Sequence, residues 1–576
     1  MINFNLPSST LCATNSELVI TISCDNWTQK QLKRLTSTLL LLLNDRSWVE
    51  KPSESSNSTA GEGQPRWKVM SIDALSALLF ALMIPKSHPL RKLFDAIDWT
   101  SIDKQCADAY ENADKGAPAY PPQVLFRILV LMFASGTPFE SATLQRLSTD
   151  VAWRWFAGLN LLTGVPDAGT LSRFRTRLGP ERFEKIFVEL VLACDKAGLI
   201  GHKDSFYDMT GVEATATQAT PYQRAVILSR ALSLYLEKNQ EGIGKITPEQ
   251  IAEIALEVLR EKHPSLEKVN PKQIVNSGEK QKEEQAEKAE NPSRWWQRII
   301  DKLASVKPGN DADLHTEEHL KQAARELLPE LPEAFGNPDA RVGHTRTNGT
   351  ICGYRSGFLV DAKRHIITAL IFVSLSVAEA PTVVSALEKH HSIFGRYPKR
   401  LGLDSAFDRD EVHCHTEQHE IFSSVTIRAR PGPAGVFHAD QFVWNEQGQL
   451  LCPNGELMEA IGGPYKNEVV RYRASGQCGQ CPLLEKCLTA KQQQKDKPTR
   501  ELQTNPEAHK RAQRHRERSR SEEGKDLRRM RFASEGVFGH TNQFHNGDKA
   551  PYRNAEMDCI AQIMVAFVYN LEKLAA

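Results

Sequence analysis

The chain has 576 residues, of which 40% are hydrophobic and 25% are charged, and its formal net charge at pH 7 is +1. At roughly 150 residues per domain, this length predicts about four structural units with real hydrophobic cores. The near-zero charge excludes a protein that is basic throughout, so any nucleic-acid surface has to be local.

The cysteine count and the N-terminus indicate a reducing compartment. The chain has eleven cysteines, an odd number, and residues 1–5 do not begin a basic segment followed by an apolar one. In a reducing cytosol, clustered cysteines bind metal more often than they form disulfides. The longest clean apolar stretch, residues 74–84, is too short to span a bilayer and predicts a buried helix. We therefore expect a cytoplasmic protein without a membrane partner.

The first third of the chain divides into an extension and a helical region. Residues 1–70 are weakly patterned, and residues 51–63 have the Ser, Gly and Glu content of a linker. Residues 71–200 have helical periodicity, with one helix predicted between Pro122 and Gly136 and another between Pro180 and Gly198.

A short arginine-bearing helix is predicted inside this helical region. Thr170 can cap it, and Arg173 and Arg177 then share one face, with Arg175 between them. This pattern is typical of a helix that contacts DNA. A solvated helix face is the alternative.

Three acidic motifs are spread over the following residues. Asp208 and Asp404 each end an apolar run that predicts a strand, and Glu535 lies four residues after Arg531 at the start of a predicted helix. Carboxylates are the oxygen ligands that Mg²⁺ and similar hard cations take, and two such ions can clamp a phosphodiester during its cleavage. Glu213 and Asp361 are competing acids in the same region.

The elements between these acids predict a sheet with one crossover helix. Strands are expected over residues 358–361 and 366–373 on either side of a turn, a helix over 381–391, and a short strand over 400–403. Residues 218–339 predict a charged helical insertion, whose mixed-charge run at 278–285 suggests no chemistry.

A second insertion, residues 431–520, contains a cysteine cluster. Cys452, Cys478, Cys481 and Cys487 can offer four sulfur ligands to a structural Zn²⁺. The alternative is that these cysteines are unligated thiols in a loop. A rival metal site combines the 413–415 His-Cys-His triplet with His419, but no further ligand is obvious from the sequence.

A basic segment overlaps the end of this insertion. Residues 508–531 contain ten Lys and Arg residues against four Asp and Glu residues. Such a segment suits contact with a nucleic-acid backbone, although a solvated helix has the same composition.

In their order and context, the three acidic motifs resemble the Asp-Asp-Glu (DDE) transposases of bacterial insertion sequences, in a branch with a Cys-rich insertion. The resemblance implies an α/β fold, in which an RNase H-like core formed by residues 201–217, 340–430 and 521–576 follows a helical, helix-turn-helix-like domain. It implies that Asp208, Asp404 and Glu535 hold Mg²⁺ or Mn²⁺ and that Arg531 assists them.

The family signature around the glutamate is only partly present. It runs Tyr, Arg, Glu, Lys, but Arg528 stands at the Tyr position and Asn542 at the Lys position. We therefore count Arg528 among the residues expected to contact DNA.

The implied activity is metal-dependent cleavage at the ends of an insertion sequence and transfer of the freed 3′-OH to target DNA. The implied partners are double-stranded DNA and a second copy of the chain, at the bacterial nucleoid. A DNA-binding regulator derived from a transposase and an RNase H-like nuclease without strand transfer are the alternatives.

Overall fold

The computed structural model describes most of the chain from residue 67 onward. The described residues are 12–14, 17–19, 67–68, 70, 72–110, 118–137, 139–161, 163–238, 246–277, 299, 301–302, 317–331, 333–337, 339–345, 349–427, 432, 435–476 and 478–576. The predicted linker at 51–63 and the mixed-charge run at 278–285 lie outside them. Among the described residues, no helix is both long and apolar enough to cross a membrane.

Internal contacts divide the chain into two compact units. The first comprises residues 1–131 and 140–174, and the second comprises residues 132–139 and 175–576. This division differs from the boundary expected at residue 200, since it assigns residues 175–199 to the second unit.

Helices dominate the described residues between 72 and 199, as predicted for residues 71–200. Two short strands, β1 (Cys12–Thr14) and β2 (Glu17–Val19), form an antiparallel pair before them. The helices are α1 (Ala74–Met83), α2 (Pro89–Asp95), α3 (Thr100–Cys106), α4 (Pro122–Ala134), α5 (Glu140–Thr149), α6 (Val151–Ala157) and α7 (Ala168–Lys196).

Local sequence signals set the limits of these helices. Asp73 caps α1 and Asp150 caps α6, because each carboxylate accepts a hydrogen bond from the backbone N–H three residues later. The apolar stretch that predicts a buried helix forms α1, but only part of α1 is buried and Met83 is 58% exposed. Asp167, not Thr170, accepts the capping bond of α7, and Gly179 interrupts this helix with a φ of 67°.

A mixed sheet forms the centre of the second unit. Its strand order is β10–β9–β3–β7–β6, with β8 also paired to β7 and β16 also paired to β3. β3 is parallel to β9 and antiparallel to β7. The strands are β3 (Asp204–Ala214), β6 (Arg341–Thr345), β7 (Gly349–Asp361), β8 (Ile366–Ser374), β9 (Arg400–Leu403), β10 (Phe422–Val425) and β16 (Lys549–Ala550).

Helices cover the sheet and follow its strands. These helices are α12 (Ala380–Phe394), α13 (Asp410–Gln418), α18 (Phe532–His545) and α19 (Ala555–Ala575). On the α12 side, Tyr207 is fully buried, donates a hydrogen bond of 2.8 Å to the Thr382 hydroxyl and contacts the Phe407 ring. The predicted strands at 358–361, 366–373 and 400–403 and the predicted helix at 381–391 are all present.

The helix α19 closes the outer edge of β8. The Asn570 amide accepts a hydrogen bond from the Ile367 N–H at 3.0 Å and donates one to the Ile367 carbonyl at 2.8 Å. A primary amide in this position satisfies backbone groups that an edge strand otherwise leaves unpaired. The buried apolar face of α19 is therefore accompanied by a specific polar contact.

The described residues between 217 and 335 form a separate helical layer with its own hydrophobic core. It contains β4 (Thr217–Gln218), β5 (Ala334–Phe335), α8 (Pro221–Lys238), α9 (Pro248–Arg260), α10 (271–277) and α11 (Glu317–Leu327). Apolar residues of α8, α9 and α11, among them Leu232, Leu256 and Leu320, are fully buried against one another. The charges of this region therefore lie around a packed core.

The cysteine-bearing region has two small sheets of its own. β11 (Val443–Trp444) pairs with β12 (Leu450–Leu451), and β13 (Met458–Gly462), β14 (Val470–Ala474) and β15 (Glu501–Thr504) form a three-stranded sheet. The helices here are α14 (Leu484–Cys487), α15 (Ala490–Gln493), α16 (Pro506–Arg520) and α17 (Glu522–Met530).

A salt bridge between β3 and β9 joins two residues that are also paired in the sheet. Asp204 lies opposite Arg400, and the guanidinium contacts the carboxylate at 2.5 and 2.7 Å with both side chains mostly buried. A two-bond contact of this kind fixes the relative position of the two strands.

We expect Asp204→Asn to lower the free energy of unfolding by about 1–3 kcal/mol, because it removes one partner of a mostly buried pair. The matched control is Glu213→Gln on the same strand, whose ion pair with Lys549 is about half exposed. That control should change stability by less than about 1 kcal/mol. Equal effects of the two substitutions in urea titrations would contradict the role assigned to Asp204.

Candidate active site

The pairing of β3 with β9 places two of the predicted acids side by side. Tyr207 is opposite Leu403 in this parallel pair, so the next residues, Asp208 and Asp404, lie at the same level of the sheet. Asp404 follows the last residue of β9, as predicted. The expectation that Asp208 ends its strand was wrong, because β3 continues to Ala214.

The helix α18 brings the third acid to the same place. The Phe538 ring stacks on Phe358 with centroids 4.8 Å apart, and Phe358 is the β7 residue directly opposite Asp208. Since residues paired across two strands face the same side of a sheet, α18 lies on the side to which Asp208 points. Glu535, one turn before Phe538, then lies close enough to Asp208 for their charges to interact.

Arg531 connects the acids directly. Its guanidinium lies 3.3 Å from Asp208 Oδ2 and 3.1 Å from Glu535 Oε1. Arg531 therefore forms ion pairs with both carboxylates. The side chain of Glu535 is about half exposed. The spacing of four residues between Arg531 and Glu535 allows this contact on one turn of helix.

The electrostatics of the site favour binding of a cation. The pKa of Asp208 is raised to about 6, mainly by burial and also by the carboxylates of Asp404 and Glu535, while the Met209 N–H and Arg531 oppose the increase. Negative groups that raise one another's pKa are stabilised when a cation is added between them. The three carboxylates therefore fit divalent metal ions, which take oxygen ligands.

The competing acids have other partners in the structure. Glu213 pairs with Lys549 at 2.7 Å. Asp361 is fully buried and accepts hydrogen bonds from the backbone N–H groups of Gly201, His202 and Lys363. Both acids therefore serve the fold.

The arginines expected to contact DNA differ in their positions. Arg173 and Arg177 are exposed on α7. Arg175 is only 3% exposed and lies over the Tyr552 ring, so its expected role at a DNA surface is corrected to packing. Arg528 is partly buried and its guanidinium donates a hydrogen bond to the Ser519 carbonyl, and its contact with DNA stays a prediction.

The basic segment 508–531 is largely neutralised inside the protein. Arginines of α16 pair with acids of the neighbouring α13: Arg511 contacts Asp410 at 2.8 Å, and Arg514 contacts Glu417 at 2.8 Å. Arg520, at the end of α16, is exposed. The local charge therefore overstates the cationic surface that this segment offers.

The four cysteines of the predicted zinc site line one cavity, together with apolar residues such as Phe437 and Leu488. The pKa of Cys487 is raised to about 11, mainly by burial and also by the other three thiols, while Arg500 opposes the increase. The Leu483 N–H also donates to Cys481 Sγ at 3.4 Å. Four adjacent thiols in an apolar cavity fit a soft, thiolate-binding cation.

Two other groups of potential metal ligands have their ligand atoms within 4.8 Å of one another in the described part of the chain. One comprises His540, His545 and Glu572, and the other comprises Glu388, His415 and His419. His413, from the rival site, contacts Asp408 at 2.9 Å instead. The sequence did not indicate Glu388, because it lies on α12 and has no spacing signal relative to the histidines.

Comparison with known families gives two matches. A transposase domain model (DUF772) matches residues 80–177, and a transposase DDE domain model matches residues 451–575. The first includes the exposed arginines of α7, and the second includes the four cysteines and Glu535. No curated protein and no solved structure matches the chain. Taken together, the two family matches support an insertion-sequence DDE transposase.

Proposed function

We propose that this protein cleaves DNA at the ends of an insertion sequence and transfers the freed 3′-OH to target DNA. The observation that carries the proposal is the placement of Asp208 and Asp404 at one level of two parallel strands, with Glu535 joined to Asp208 through Arg531. The strand order β8–β7–β3–β9–β10, with the first acid on the central strand, supports an RNase H-like core.

Asp208, Asp404 and Glu535 would hold Mg²⁺ or Mn²⁺, which would supply an acidified water and stabilise the leaving 3′ oxygen. Arg531 keeps Asp208 and Glu535 together and presents a planar cation that can also bind a phosphate. The site requires no nucleophilic side chain, so no covalent protein–DNA intermediate is expected.

We further propose that Arg173 and Arg177 contact the phosphates of double-stranded DNA, and that two copies of the chain act together on two DNA ends. A bacterial cytoplasmic, nucleoid-associated location follows from such a substrate. A DNA-binding regulator is less consistent with three clustered acids, whereas a nuclease without strand transfer is distinguished only by the joining step.

The first prediction concerns the acids. Asp208→Asn, Asp404→Asn and Glu535→Gln should each reduce cleavage of a DNA end by roughly 100-fold or more while DNA binding is retained. Their effects should not add, since one loss already disrupts the metal site. Cleavage and joining would be followed on labelled DNA in Mg²⁺, with Glu213→Gln as the control that keeps activity. Near-normal cleavage by one of the three variants would remove that residue from the site.

The second prediction uses the pKa of Asp208. Its pKa is about 6 in the folded protein against 3.8 for an unperturbed carboxyl, so the folded state binds this proton more tightly. Stability from this group is present at low pH and is lost as pH rises through about 6. In EDTA at pH 8, Asp208→Asn should therefore be more stable than wild type by on the order of 1–3 kcal/mol.

At pH 4 this difference between Asp208→Asn and wild type should nearly disappear. The exposed Glu411 offers a control, since Glu411→Gln should change stability little at either pH. A stabilisation by Asp208→Asn that is the same at pH 4 and pH 8 would refute the explanation.

The third prediction concerns the cysteines. About one Zn²⁺ per chain should remain after dialysis against a weak chelator, and Cys478→Ser should lose it because one of four sulfur ligands is missing. Cys414→Ser removes a thiol outside the cavity and should keep the metal. Metal analysis of the purified proteins measures this, and wild-type protein without tightly bound zinc would disprove the site.

A further inference from the structure

Two histidines one turn apart face an acid of α12. One lies on α13, and the other is the residue that directly follows this helix. His415 and His419 are four residues apart, and their ring nitrogens and a Glu388 oxygen lie within 4.8 Å of one another. His415 Nε2 is 3.4 Å from Glu388 Oε1. Two histidines at this spacing plus one carboxylate from a neighbouring helix form a set that suits a tetrahedral metal ion.

His415 has a ring nitrogen that is left unsatisfied among the described residues. Its Nε2 atom is buried and makes no hydrogen bond to the described atoms, although Glu388 is close. A buried imidazole nitrogen that makes no hydrogen bond and lies beside a carboxylate is well placed to coordinate a cation.

The surroundings hold these ligands in place. The Tyr397 hydroxyl donates to Glu388 Oε1 at 2.8 Å, and its ring lies 4.3 Å from the His419 ring, measured between centroids. His391 stacks on Tyr397 with centroids 4.4 Å apart. A hydrogen bond to a ligating carboxylate orients it, which is a usual feature of metal sites.

We propose that Glu388, His415 and His419 bind one divalent transition-metal ion of the Zn²⁺ class, with water at the remaining position. Imidazole and carboxylate ligands suit Zn²⁺, Ni²⁺ and Co²⁺ better than they suit Mg²⁺. The ion would join α12 to α13, the first helix after the turn at residues 405–407 that follows Asp404. This site is separate from both the carboxylate site and the cysteine cavity, and it does not depend on DNA cleavage.

The test is a calorimetric titration of Zn²⁺ into the intact protein after the cysteine-dependent zinc has been supplied. Wild-type protein should bind one further ion. His419→Ala and Glu388→Gln should each weaken this binding at least about tenfold, since each removes one of three protein ligands. Both residues are exposed, so these substitutions should leave the fold intact.

The matched control is His391→Ala, which removes a neighbouring histidine that contacts Tyr397 but is not a ligand. It should bind Zn²⁺ as wild type does. A second measurement follows thermal unfolding, in which Zn²⁺ should raise the Tm of wild type and His391→Ala but not that of Glu388→Gln. Absence of the additional ion in wild type, or equal affinity in all variants, would overturn the proposal.

Discussion

The register between β3 and β9 is the constraint on which the candidate active site depends. Successive residues of a strand point to opposite faces, so a shift of one residue would turn Asp208 or Asp404 away from α18. The Asp204–Arg400 salt bridge lies at the start of this pairing, four residues before the two acids. Gly402 allows a close approach here, since a Cβ at this position would lie 2.5 Å from the Phe206 ring. The position of the acids is thus set by contacts that take no part in chemistry.

In the second unit, several arginines form ion pairs that join neighbouring helices. The arginines of α16 are engaged by acids of α13, and α13 begins shortly after Asp404. Arg531 similarly contacts the acids at the site. When most arginines form ion pairs with acids of the same protein, the net charge can be near zero. A few exposed arginines can then still interact with a polyanion.

Local patterns in the sequence predicted much of this fold, and the errors have a common cause. The strand at 400–403, the helix at 381–391 and the helix carrying Glu535 follow from periodicity and from their boundary residues. The end of β3 was misplaced because its second half pairs with β7, and its last two residues pair with β16, more than 330 residues away. Arg175 looked like its neighbours on α7, but the Tyr552 ring buries it. Glu388 was missed because only the packing of α12 against α13 brings it to the histidines. Contacts between distant segments decide these points, and the sequence around each residue carries no record of them.

The amide of Asn570 has a consequence for synthesis of the chain. It pairs with Ile367, which precedes it by 203 residues. At ribosomal rates of about 5–20 residues per second, β8 would emerge roughly 10–40 s before the helix that covers its edge. During that interval the apolar strand presents open backbone groups to other nascent chains, a template for misassociation. Chaperone capacity and translation speed would then influence how much of the protein reaches its native state, independently of its final stability.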